Sequence, residues 1–155
     1  MKKHLLLLAL STFLLLAVDS ALDRRATAQS PAAAAALPFS PMVKAGNFIF
    51  VSGNIGVDPA TGQLAGADIA AQTAQALKNI EAILKASGSG MHEVVKTTVF
   101  LKDIEDYAKM NEVYAGFFSG QKPARSTVQV AGLVRGALIE IEAIAMRSGF
   151  MPAKP

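Results

Sequence analysis

Two side chains in the C-terminal third of this sequence have the types and setting to do chemistry. Arg125 stands in Pro123-Ala124-Arg125-Ser126, and Glu140 stands in Ile139-Glu140-Ile141-Glu142-Ala143. An arginine presents a planar fork that grips a carboxylate through charge-assisted hydrogen bonds of about 1.5–3 kcal/mol each. A carboxylate beside a reacting carbon can orient water or move protons. Both residues also have ordinary structural readings. Arg125 is then the ion-pair partner of Glu140 or Glu142, and Glu140 is one half of an interface pair.

The segments that carry them alternate with period two and are joined by a glycine-bearing connection around Gly132 to Gly136, so they read as two strands. The second puts Ile139, Ile141, Ala143 and Ala145 on a core face. Glu140 and Glu142 lie on the other face among Leu138, Ile144 and Met146, where an unpaired buried charge is costly. In the first strand Arg125, Thr127 and Gln129 share a face. Taken as a hairpin with a connection over 132–137, Ala131 faces Leu138, Glu140 faces Gln129 and Arg125 faces Ile144. At about 3.3 Å per residue, Arg125 and Glu140 are then roughly 13 Å apart. If both touch one ligand, they are expected to come from different subunits.

Upstream, Ser52-Gly53-Asn54 ends a strand, and Gly53 permits close approach of a ligand to backbone, although an ordinary strand-end turn explains it equally well. Asn111 falls on the inner stripe of a helix, as a cleft-lining amide or a core amide with its hydrogen bonds satisfied. Ser126 has no histidine to activate it, and no glycine-rich phosphate loop is present. The chain has no cysteine, which excludes disulfides, thiolate metal sites and a thiol nucleophile. Its two histidines, His4 and His92, do not make a metal site. Neither a metal nor an organic cofactor is expected.

The elements that must position these groups follow in order. Phe39 to Lys44 and Asn47 to Ser52 read as short strands around a turn at Ala45-Gly46, followed by a loop at Asp58-Pro59-Ala60-Thr61-Gly62. Asp68 caps a helix with Ile69, Thr73, Ala76, Leu77, Ile80, Ile83 and Leu84 on one stripe, and Gly88 stops it. Glu93 to Leu101 is a strand. Asp103 caps a second helix with Ile104, Tyr107, Ala108, Tyr114, Phe117 and Phe118 inward. The order is β-β-α-β-α-β-β, an α+β fold with both helices on one face of a sheet. The second face, with Thr127, Gln129, Glu140 and Glu142 among Val, Ile and Leu, is too mixed for a core and too apolar for water, which points to oligomerisation.

The first 28 residues are of another kind. Lys2, Lys3 and His4 precede an apolar run from Leu5 to Val18, and Ala26-Thr27-Ala28 offers a small-residue cleavage site, the layout of a secretory signal peptide. The run is short for a membrane span. Cleavage is expected after Ala28, with Ala21 as the alternative, giving an exported protein, periplasmic or secreted, with no span left. Removing 1–28 takes away four basic and two acidic side chains and lowers the formal net charge from +3 to +1. No Lys/Arg cluster remains, so nucleic acid is not an expected partner. Residues 29–38 are an Ala/Pro-rich tether, 39–149 the domain and 150–155 a tail.

Pro123-Ala124-Arg125-Ser126 and the Ile-Glu-Ile-Glu-Ala run ending at Ala143, with Val51-Ser52-Gly53-Asn54, Val95-Lys96-Thr97-Thr98-Val99-Phe100 and the stretch from Asn111 to Phe118, resemble the Rid (YjgF) family of reactive-intermediate deaminases. The resemblance covers about Phe39 to Arg147. It implies a chorismate-mutase-like fold, a homotrimer with clefts between subunits, and hydrolysis of 2-imino and 2-enamino acids to 2-oxo acids and ammonia. It makes Arg125 the substrate-carboxylate arginine and selects Glu140, rather than Glu142, as the carboxylate beside the ligand. Ser52, Gly53, Asn111, Thr127 and Met42 then line the pocket around a small imino acid or carboxylate.

The sequence departs from the family where a tyrosine is usual (Met42) and where a cysteine is common (Thr127). Lys122 replaces an aromatic, and the stretch between Phe118 and Pro123 is short. These changes touch pocket walls rather than the Arg/Glu pair, so substrate range is where a difference is expected. An export signal also separates the chain from cytoplasmic sources of imines. The competing reading is a non-catalytic trimer of the cell envelope that binds small carboxylates or acts as a chaperone. A ribonuclease, an activity attached to parts of this family, is disfavoured by the lack of a basic patch and of a His or Lys constellation.

Overall fold

The computed structural model describes residues 38–150; the expected leader, residues 29–37 of the tether and the tail from 151 lie outside them. Strands β1 (Met42–Ala45) and β2 (Phe48–Ile55) form a hairpin, with Gly46 in the left-handed conformation (φ +57°) that so tight a turn needs. Helix α1 (Ile69–Ala86) starts where the Asp68 carboxylate accepts the N–H groups of Ala70 and Ala71, at 2.9 and 3.1 Å. It stops at Gly88, φ +79°, where the N–H of Ser89 returns to the Leu84 carbonyl. Both ends and the stripe of Ile69, Thr73, Ala76, Leu77, Ile80 and Leu84 match the sequence reading. Gln72 is buried as well. Its Oε1 accepts the N–H of Leu138 and its Nε2 donates to the Gly66 carbonyl, tying the helix to two loops.

The chain continues through β3 (Val94–Leu101), α2 (Tyr107–Ala115), β4 (Ala124–Gln129) and β5 (Ile139–Met146). The order of elements is the expected one, and the five strands form one mixed sheet, β1-β2-β5-β3-β4. Both helices cover one face. There Ile49, Leu77, Ile80, Leu84, Leu101, Met110, Ile139 and Ile141 are fully buried, each stabilising the fold by about 1.5–3 kcal/mol. The face away from the helices leaves Val43, Phe48, Phe50 and Val128 exposed.

Two sequence expectations are corrected here. The strands carrying Arg125 and Glu140 are not a hairpin: β4 runs parallel to β3, and β5 lies antiparallel between β2 and β3. The reason is composition. Ile139, Ile141, Ala143 and Ala145 make β5 fit a central slot, whereas Arg125, Ser126, Thr127 and Gln129 suit an edge. The connection crosses the end of β3, where Val130 donates to the Leu101 carbonyl and Lys102 to that of Leu138. Thr127 and Gln129 pair with Val99 and Leu101, so they share the helix-covered face rather than the face of Glu140 and Glu142. The second correction concerns the inner stripe of α2. Asp103 caps a 3-10 turn, Ile104–Asp106, before the α-helix begins. That tighter turn shifts the phase: Met110, Tyr114 and Phe118 are buried, while Ile104, Tyr107 and Ala108 are exposed.

Candidate functional site

Arg125 projects from edge strand β4 onto the flank of α2. Its guanidinium carbon lies 4.6 Å from the centre of the Tyr114 ring and 5.5 Å from that of Tyr107. Nη2 donates to the Tyr107 hydroxyl at 3.2 Å, and Nη1 points at the Met110 sulfur, 4.0 Å away. Tyr114 is fixed in turn, because its hydroxyl shares a 2.6 Å hydrogen bond with buried Thr97 and its ring packs on Phe118. No carboxylate among the described residues is within ion-pair distance of Arg125. The guanidinium is therefore stacked and oriented by two aromatic rings, a cation–π arrangement contributing about 0.5–2 kcal/mol, with most of its donors left over. A guanidinium so held has the geometry and the free N–H groups to accept a planar anion.

The surroundings of this arginine are polar in a selective way. Hydrogen bonding from Asn111, then from Arg125, and the charge of Arg125 lower the pKa of Tyr107 from its ordinary value; burial raises that of Tyr114. Asn111 is half-buried rather than in the core and stands one helical turn after Tyr107. Thr127, two residues from Arg125 on the same strand face, has a buried hydroxyl with no hydrogen-bond partner in the chain. A buried polar atom left in that state calls for a partner from outside.

Glu140 belongs to a separate cluster. It sits in β5 opposite Phe100 and Ile55, half-buried on the face away from the helices. Its carboxylate folds over Gly53, filling the space that a Cβ there would occupy. Gly53 lies in a bulge, since the β2–β5 register shifts between Val51 and Asn54. Close approach is thus what this glycine permits, and its guest within the chain is Glu140. Ser52 beside it is committed elsewhere: its hydroxyl donates to the Ser40 carbonyl at 2.7 Å and its N–H to that of Pro41 at 3.0 Å, pinning the incoming chain. Met42 packs against the core from β1, at the opposite edge of the sheet from Arg125.

Within one chain, the expected site residues therefore fall into two half-sites. Arg125, Thr127 and Asn111 gather at the β4 edge on the helix side. Glu140 and Gly53 lie on the other face. Arg125 is level with Thr97 and Glu140 with Phe100, so they are separated by about 10 Å along the sheet, about 10 Å across it, and by the sheet itself. This replaces the hairpin estimate and excludes a direct ion pair between them. The surface hollows lined around His92, by Glu81 and Phe117 on one side and by Lys122 and Pro123 on the other, include neither half.

The family model described as endoribonuclease L-PSP matches residues 27–147. The chain belongs to the L-PSP (YjgF/Rid) family. A RutC family protein of Pyrococcus horikoshii is 54% identical over 110 residues, 71% of this chain and 87% of that protein. The mouse 2-iminobutanoate/2-iminopropanoate deaminase is 43% identical over 134 residues, 86% of this chain and 99% of that enzyme. The crystal structure of the E. coli YjgF gene product superposes with a TM-score of 0.70 at 48% identity, covering 75% of this chain and 93% of that one. These matches give the L-PSP (YjgF/Rid) chain its chorismate-mutase-like α+β fold. What the sequence missed is Tyr107, taken for a core residue. The signal available was its i, i+4 relation to Asn111, which puts a phenol and an amide on one helix edge.

Proposed function

We propose that this L-PSP (YjgF/Rid) chain hydrolyses 2-imino and 2-enamino acids to 2-oxo acids and ammonia. The observation that carries the reading is Arg125: a guanidinium stacked on two tyrosine rings, at a strand edge, with no carboxylate of its own among the described residues. It would hold the substrate carboxylate and fix the orientation of the imine carbon, and such positioning supplies much of a rate gain. Glu140 would orient the attacking water and accept its proton. An imine carbon is already electrophilic, so no cofactor is needed. The printed name of the mouse relative supports the substrate class.

Because Arg125 and Glu140 lie on opposite faces of one sheet, they can meet over one ligand only across a subunit boundary. The assembly proposed is a homotrimer in which the Arg125 half-site of one subunit closes over the Glu140 half-site of the next. The exposed apolar residues Val43, Phe48, Phe50 and Val128 favour burial of that face against other copies. The N-terminal leader is read as an export signal, cut after Ala28, which puts the mature protein in the periplasm or outside the cell.

The test is imine hydrolysis by the mature protein, with an amino acid oxidase generating a panel of imino acids in situ and Arg125→Ala beside the wild type. Acceleration that disappears in the variant, with the oligomer intact, supports the deaminase. Absence of acceleration for every imine, with carboxylates still binding at Arg125, replaces it by a carboxylate-binding protein.

A further inference from the structure

Tyr107 is an exposed phenol on α2 whose oxygen is 3.2 Å from Arg125 Nη2. In that bond Nη2 donates and the phenol oxygen accepts, which leaves the phenol proton free to be given away. Nη2 keeps one further N–H, directed about 120° from the first, for a ligand carboxylate. A carboxylate oxygen taking that N–H at a normal hydrogen-bond length would stand about 5 Å from the Tyr107 oxygen. That is too far for Tyr107 to bond the carboxylate itself. It is the span bridged by an atom one position away from the carboxylate, on the carbon next to it. In a 2-imino acid that atom is the nitrogen.

We propose that Tyr107 is a catalytic residue of this site, hydrogen-bonding the α-nitrogen of the substrate and donating its proton to it. The proposal rests on the deaminase reading and adds the proton donor that this reading leaves unassigned. As water adds to the imine carbon, the C–O bond forms and the C=N π pair moves to nitrogen, which takes the phenol proton. Glu140 receives a proton from the water. The resulting carbinolamine then loses ammonia: Glu140 passes its proton to the nitrogen, the hydroxyl proton goes to the Tyr107 phenolate, the C=O bond forms, and the C–N pair departs with nitrogen as ammonia. One water proton thus ends on ammonia and the other restores the phenol, so the balance is imine plus water to 2-oxo acid plus ammonia. The lowered pKa of Tyr107 suits a group that gives up its proton. Asn111, one helical turn along α2, favours loss of that proton as Arg125 does.

The test has two arms, both on the intact oligomer of the mature protein. In the first, Tyr107→Phe is assayed for hydrolysis of imine generated in situ; kcat falls about 100-fold while KM changes little, since the carboxylate clamp remains. In the second, calorimetry compares propanoate with 2-hydroxypropanoate, which carries a hydroxyl where the imine nitrogen would stand. The wild type prefers the hydroxy acid by about 10-fold, the worth of one hydrogen bond. Tyr107→Phe binds the two equally, and Arg125→Ala loses both. A Tyr107→Phe variant that keeps kcat and keeps the preference overturns the proposal. So does one that weakens both acids alike, because Tyr107 would then act only by holding Arg125. If the wild type binds both acids but hydrolyses no imine, the deaminase reading fails and Tyr107 as proton donor fails with it, while the ligand comparison still decides whether the phenol contacts the α-substituent.

Discussion

Two glycines three residues apart in and beside β2 should respond to the same substitution in opposite ways. A Cβ at Gly56 would lie 2.5, 2.6 and 2.9 Å from the carbonyl oxygen, Cα and carbonyl carbon of Gln72. These are backbone atoms of α1, so relief requires the whole helix to move away from the sheet. The helix is seated by Ala76, Leu77 and Ile80, all essentially fully buried. Overpacking of this kind costs about 1–3 kcal/mol. A shift at Gln72 also strains its bonds to the Leu138 N–H and the Gly66 carbonyl, each contributing about 1 kcal/mol. Gly56→Ala is therefore expected to destabilise the domain by about 3–5 kcal/mol. At Gly53, by contrast, the Cβ meets only the far end of the Glu140 side chain. Turning that carboxylate aside costs about 0.5–1.5 kcal/mol, partly offset by the lower unfolded-state entropy of alanine. Gly53→Ala should thus stay within about 1 kcal/mol of wild type in urea denaturation, yet lose about 100-fold in imine turnover because Glu140 no longer stands where it did. Denaturation midpoints and turnover on both variants decide the matter. A Gly53→Ala protein that unfolds as readily as Gly56→Ala, or that keeps wild-type turnover with Glu140 displaced, would refute the assignment of one glycine to function and the other to packing.

Thr127→Val removes a buried hydroxyl without a partner, so the domain should gain up to about 1 kcal/mol in denaturation while carboxylate affinity at Arg125 weakens; a clear loss of stability would show that the hydroxyl is already bonded. Carboxylate affinity, followed by calorimetry against pH, should fall on the alkaline side at a pH below the usual tyrosine value of 10.0. Ionisation of Tyr107, favoured by Asn111 and Arg125, puts a negative charge beside the receptor, and Tyr107→Phe should flatten that limb. Tyr114 shifts the other way: its pKa is raised by burial, so its neutral form stabilises the fold below pH 10, a contribution lost as pH rises through its elevated value. Asp68→Ala leaves two α1 N–H groups without their acceptor and should cost about 1 kcal/mol, a drop of about 4 °C in Tm.

The parts of this fold that were legible in the sequence are those set by local chemistry. Asp68 and Gly88 mark the ends of α1 because a side-chain acceptor and a left-handed residue are each needed within one turn. The alternation from Ile139 to Ala145 fixes the core face of β5 because side chains of a strand change face at every residue. What was not legible is pairing between segments. Nothing local tells β4 and β5 that β3 will separate them; that follows from which strand has enough apolar surface for the centre of a sheet built from all five. The same global choice decides the site. A hairpin would have put Arg125 and Glu140 on one face at a measurable distance. The actual order sends Arg125 to an edge beside Tyr107 and Tyr114 and leaves Glu140 over Gly53 on the reverse side. The expectation that a ligand touching both would lie between subunits now rests on the two faces of the sheet rather than on a distance along one strand. Distance along a strand can be spanned by long side chains or by a larger ligand. A sheet between them cannot, so a functional pair on opposite faces requires a second copy of the chain.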